Sequence, residues 1–121
     1  MSLILLVDDD KDMTVLTSRW LTKAGYEVET VYSGPEALSF MEGSQPDLVL
    51  LDYAMPEMDG PAVFEAMKAN EKTKEIPVLF RTGMDDENSA DILDRISPRG
   101  VIPKSEGKAA LLSAVSEVLP L

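Results

Sequence analysis

Four apolar residues, Leu48-Val49-Leu50-Leu51, run without interruption into a carboxylate, Asp52, and a turn-rich stretch with Pro56 and Gly60 follows. A run this short, with no polar alternation, reads as a strand buried on both faces, the pattern of a parallel sheet covered by helices. Asp52 then stands at the carboxyl end of a central strand, where open α/β sheets gather ligands and chemistry. What stands beside it decides what the chain can do.

The rest of the chain supplies the elements such a sheet needs. Leu3 to Val7 is a second apolar run, ended by Asp8-Asp9-Asp10. Met13, Leu16, Trp20 and Ala24 recur at helical spacing, and Gly25 stops that helix. Glu27 to Tyr32 alternates polar and apolar and predicts a strand with a more exposed face. Pro35 opens a helix through Ala37, Leu38 and Met41, closed by Gly43. After the Asp52 loop, Pro61 starts a helix through Val63, Phe64 and Met67. Ile76 to Phe80 predicts the fourth strand, Thr82-Gly83 the turn after it, and Asp85 to Ile96 a fourth helix. Gly100 to Ile102 makes a short fifth strand, placed at an edge because Pro103 lacks a ladder donor. Ala109 to Leu119 supplies the last helix, with Pro120 as its stop.

Five strands alternating with five helices predict an α/β fold: a doubly wound five-stranded parallel sheet with helices on both faces and right-handed crossovers. The economical strand order is 2-1-3-4-5, the flavodoxin-like arrangement, with residues 1–121 forming one domain. Linkers, repeats and low-complexity tails are absent from the pattern.

Composition removes several function classes. There is no cysteine, which excludes disulfide and thiol chemistry, and no histidine, the commonest neutral-pH base and transition-metal ligand. Twenty-two acidic residues against eleven basic ones give a net charge of −11. No basic stretch is available to neutralise backbone phosphates, so direct nucleic-acid binding is not expected. No apolar run approaches the roughly 18 residues of a membrane span, and the start lacks the pattern of a secretion signal. The expected location is the cytoplasm.

In the order 2-1-3-4-5 the first and third strands are neighbours, and Asp8, Asp9 and Asp52 converge. Carboxylates so close repel and need a compensating cation. With oxygen ligands alone, Mg2+ is the natural choice and Mn2+ a substitute; calcium stays open, although the EF-hand loop pattern is absent. Asp10 instead precedes the first helix and reads as its cap. The fourth strand offers Thr82, whose hydroxyl can donate to an anionic oxygen, and the fifth offers Lys104, a point charge suited to phosphate. Each residue alone is ordinary; three acids, a hydroxyl and a lysine at four strand ends are a strong constellation.

At these residues the chain resembles the receiver domain of two-component response regulators. The resemblance is carried by Leu6-Val7-Asp8-Asp9, by Leu51-Asp52-Tyr53-Ala54-Met55-Pro56-Glu57-Met58-Asp59-Gly60, by Thr82-Gly83 and by Lys104, and it covers essentially all 121 residues. It implies that Asp52 accepts a phosphoryl group from a sensor histidine kinase or a histidine phosphotransfer protein. It also implies that Mg2+ is held by Asp9, Asp52 and the backbone oxygen of Ala54, with Asp8 acting mainly through a bound water. Thr82 and Lys104 would contact the phosphoryl oxygens. Slow self-dephosphorylation, phosphorylation from small donors, and homodimer contact through the fourth-helix and fifth-strand face belong to the same expectation. With no room after Leu119 for an output module, the chain is expected to be either a stand-alone receiver or a receiver from a longer regulator with a covalently linked output domain.

The chain leaves the family pattern at several positions. The fifth-strand aromatic of the usual switch is Val101, which reads as strand packing. Lys104 is followed by Ser105 rather than proline, so a trans bond is expected there. Ala54 and Met84 cannot orient an attacking water, which predicts self-dephosphorylation that is not fast. Arg81 stands where an apolar residue is usual and reads as a solvent-facing strand end in preference to a partner contact. Two other functions remain open at the sequence level. A Mg2+-dependent phosphohydrolase with an Asp52 nucleophile would need a general acid or base and a substrate cap, neither evident. A receiver-like interaction domain that is never phosphorylated would use only the surfaces.

Overall fold

Five short apolar or alternating segments pair side by side as a parallel sheet. The computed structural model of the chain describes residues 2–83 and 99–120. The strands are β1 (Leu3–Val7), β2 (Glu27–Val31), β3 (Leu48–Asp52), β4 (Val78–Thr82) and β5 (Gly100–Pro103), in the order β2-β1-β3-β4-β5. The expected fold and strand order are therefore those observed. The described helices are α1 (Lys11–Lys23), α2 (Gly34–Gly43), α3 (Gly60–Lys68) and α4 (Gly107–Val118), with a 3-10 turn over Lys104–Glu106 between β5 and α4. The helix predicted over Asp85–Ile96 lies outside the described residues.

Every residue of β3 is buried, as its unbroken apolar run requires. Its side chains alternate between two cores. Val49 and Leu51 join Leu5, Val7, Val78 and Phe80 beneath α2 and α3, where Ala37, Met41, Val63, Phe64 and Met67 close the layer. Leu48 and Leu50 join Ile4, Leu6, Leu79 and Ile102 beneath α1 and α4, which contribute Leu21, Leu111 and Val115.

The helix starts follow from local chemistry. Asp10 Oδ1 accepts from the Met13 amide at 3.1 Å, the expected cap of α1. Ser33 caps α2 by accepting from the Glu36 amide, while its own hydroxyl donates to the Glu36 carboxylate. Asp59 does the same service for α3 through the Ala62 amide.

Three local expectations change. The stripe of α1 is rotated: the buried residues are Thr14, Thr17 and Leu21, whereas Leu16 is exposed. Threonine hides its methyl group and satisfies its hydroxyl locally, as Thr14 Oγ1 does by donating to the Lys11 carbonyl at 2.7 Å. β4 begins at Val78 rather than Ile76 and continues through Arg81 and Thr82, so Thr82 ends the strand instead of opening the turn. Arg81 does not face solvent. It is 2 % exposed, and its Nη1 donates to Thr17 Oγ1 at 3.1 Å.

Candidate functional site

The site is a product of register. Val7 pairs with Leu51, so the next residues, Asp8 and Asp52, emerge from β1 and β3 together. Both are even-numbered on strands whose even positions face α1 and α4, and both are buried, at 1 % and 3 % exposure. Asp9 takes the next position and is exposed. One oxygen from each of Asp8, Asp9 and Asp52 lies within 4.8 Å of the others.

Lys104 enters from the turn after β5. Its Nζ lies 3.1 Å from Asp52 Oδ1 and 3.6 Å from Asp8 Oδ2. All described peptide bonds are trans, the Lys104–Ser105 bond among them, in line with expectation. Thr82 sits half-buried at the end of β4, paired with Pro103, one residue beyond the Asp52–Arg81 pair. Ala54 is exposed in the loop after β3 and lines a shallow cleft of about 450 Å3 with Tyr53, Met55, Pro56 and Asp59. That loop is held close to the sheet: the Gly60 amide donates to the Tyr53 carbonyl and the Tyr53 amide to the Arg81 carbonyl, both at 2.9 Å. A Cβ at Gly60 would stand 2.5 Å from the Asp52 carbonyl oxygen and 2.7 Å from the Phe80 ring.

Electrostatics mark Asp52 as the unusual group. Burial, reinforced by the charge of Asp8 and opposed by Lys104, pushes its carboxyl up to about 7 from 3.8. Burial acts against the charged Lys104 ammonium, yet Asp52 and Asp8 outweigh it and raise its pKa. Asp8 Oδ1 accepts from the Asp10 amide at 2.9 Å, but Asp8 Oδ2 is buried without a hydrogen-bond partner among the described residues. A buried carboxylate oxygen lacking a donor, beside two more carboxylates and an all-oxygen donor set, fits a hard divalent cation such as Mg2+.

Residues 4–116 match the family described as response regulator receiver domain. The chain belongs to that family. Receiver domains generally work with histidine kinases or phosphotransfer proteins, and phosphoacceptor signalling is the general function of the family to which the chain belongs. The receiver is 37 % identical over 81 residues to the DNA-binding dual master transcriptional regulator RpaA of Synechocystis, covering 67 % of this chain and 34 % of that protein. It is 42 % identical over 82 residues to response regulator PleD of Caulobacter vibrioides, covering 68 % of this chain and 18 % of that one. The chain thus spans about a third of the first relative and less than a fifth of the second. Among solved structures, Vibrio cholerae chemotaxis protein CheY4 superposes with a TM-score of 0.89 at 29 % identity, covering 98 % of this chain and 99 % of its own.

The structure brings Asp8, Asp9, Asp52 and Lys104 together, with Thr82 at the end of β4 and Ala54 in the loop after β3. Sequence reasoning missed Arg81 and Thr17 as members of this neighbourhood. The available signal was parity: Arg81 lies two residues from Leu79 and so shares its buried face. Val101 lies on the edge strand and is 43 % exposed.

Proposed function

We propose that residues 1–121 form one receiver domain in which Asp52 is the phosphoacceptor, charged by a partner histidine kinase or histidine phosphotransfer protein. The observation that carries this is the 3.1 Å pairing of buried Asp52 with Lys104 inside a three-carboxylate cluster. An Asp52 oxygen attacks phosphorus in line with the donor nitrogen; the new O–P bond forms as the P–N bond breaks, and the donor imidazole keeps the electron pair. Lys104 holds one developing phosphoryl oxygen electrostatically and the Thr82 hydroxyl donates to another. Asp9, Asp52 and the Ala54 backbone oxygen would hold Mg2+, with Asp8 acting through a bound water. The bound ion supplies charge neutralisation for the transferring group.

The phosphorylated receiver then alters protein contacts, either with a separate target or with an output domain of a longer regulator. The face that includes exposed Val101 on β5 is the proposed surface for homodimer contact. Among the described residues, no helix is long and apolar enough to cross a membrane, and a cytoplasmic location is the reading consistent with a histidine-kinase partner.

The test is intact mass after incubation with Mg2+ and a small phosphodonor. One phosphoryl group is expected on the native chain and none on Asp52→Asn. Equal labelling of both removes Asp52 from its role. Continuous turnover of a small phosphoester would favour a phosphohydrolase instead.

A further inference from the structure

The acidic pocket has a second cation that the phosphoacceptor scheme does not use. Arg81 is the in-register partner of Asp52 on the neighbouring strand. Both residues share the sheet face of Leu50 and Leu79, so their side chains leave the backbone side by side. The next residue across, Ile102, belongs to the same buried face. Helix α1 closes the space from above, and Thr17 fixes the guanidinium there through Nη1. Nε has no hydrogen-bond partner among the described residues. An arginine this deep keeps its proton, because its intrinsic pKa is too high for burial to remove it. Its charge must be compensated nearby, and Asp8 and Asp52 are the groups that oppose the effect of burial on it.

We propose that Arg81 is a fixed internal counter-ion of the acidic pocket, making a divalent cation bind weakly until a phosphoryl group is in place. The inference rests on the reading of the pocket as a phosphoacceptor site. Its basis is charge. Asp8, Asp9 and Asp52 against Lys104 and Arg81 leave one net negative charge when the carboxylates are ionised. A divalent cation alone turns that into one net positive charge. A phosphoryl dianion replacing the Asp52 carboxylate brings the loaded pocket to neutrality. With a neutral residue at position 81, neutrality falls instead on the cation-loaded, unphosphorylated state. Arg81 therefore moves the balanced state from the resting to the phosphorylated form. Arg81 acts here as a positioning residue for charge; it does not touch the reacting atoms.

The experiment is calorimetric titration of the full chain and its Arg81→Met, Arg81→Gln and Arg81→Lys variants. Met matches the volume of the stem. Gln keeps a polar amide without the charge, so one neutral variant remains if the other fails to fold. One unit charge facing a dication through a partly screened medium changes affinity roughly tenfold. Both neutral variants should bind Mg2+ about tenfold more tightly than the native chain. In saturating Mg2+ they should bind beryllium fluoride, a tetrahedral stand-in for the phosphoryl group, about tenfold more weakly. Arg81→Lys should stay within about twofold of the native chain in both titrations, a rescue that a purely structural role would not require. Neutral variants that match Arg81→Lys overturn this inference while leaving the phosphoacceptor reading intact. A native chain that takes no Mg2+ overturns the metal reading and this inference with it.

Discussion

The absence of histidine turns pH into a clean probe of Asp52. No other side chain has an ordinary pKa between those of the carboxylates and the thiol and amine range, and the chain has no cysteine. With its carboxyl raised to about 7, Asp52 is ionised in roughly a tenth of molecules at pH 6, half at pH 7 and nine-tenths at pH 8. A cation that needs the ionised carboxylate binds with an affinity reduced by the same fraction. Mg2+ should therefore bind roughly tenfold more weakly at pH 6 than at pH 8, and level off above. Near pH 7 each binding event should release about half a proton. Stability runs the opposite way from the usual carboxylate. The folded-state pKa lies above the unfolded value, so ionising Asp52 costs stability, and the metal-free fold should gain a few kcal/mol as pH falls from about 8 toward 5. The assay is Mg2+ titration calorimetry at three pH values, repeated in buffers of different ionisation enthalpy to count protons. Asp52→Asn is the control and should show neither the pH dependence in this window nor the proton release. An affinity for Mg2+ that is flat between pH 6 and pH 8 in the native chain would refute the raised Asp52 pKa.

Two further outcomes follow from the packing and from the loop. Gly60→Ala places a methyl group against the Asp52 carbonyl and the Phe80 ring, and backbone cannot move aside cheaply. Urea denaturation should show a loss of at least about 2 kcal/mol, and a change below about 0.5 kcal/mol would contradict the tight β3–α3 connection. Ala54 offers no side-chain hydrogen bond with which to hold an attacking water. The phosphorylated chain, separated from donor and followed by intact mass, should lose its phosphoryl group over a period much longer than a few seconds.

The fold was readable because burial on two faces leaves its mark on composition. Leu48 to Leu51 and Leu3 to Val7 read as interior strands from their short unbroken apolar runs, and with the two as neighbours Asp8 and Asp52 meet. Lys104 was readable for a related reason: Pro103 confines β5 to the edge, so the residue after it turns back over the strand ends. What hydropathy could not convey was a polar contact made inside the core. Arg81 looked like the end of an apolar run, yet sheet alternation carries it under α1, and Thr17 is buried there to receive it. The rotated stripe of α1 has the same origin. Thr14 and Thr17 count as core residues when their hydroxyls find partners, and a scale that scores them as polar assigns the wrong face.

The enclosure of β3 also sets how the molecule exchanges hydrogen with solvent. A strand buried on both faces, flanked by β1 and β4 along its length, has no partial opening that frees its amides. Leu50 and Leu51 should exchange only when the whole domain unfolds, making their rates a direct gauge of global stability. β5 lies at the margin, and of its four residues only Ile102 is buried. Its amides should exchange by local fraying. The Asp52 carboxylate thus projects from the segment expected to exchange slowest, while the adjoining Lys104 follows an edge strand expected to fray. Any rearrangement that phosphorylation drives has a fixed end at Asp52 and a loose end at Lys104.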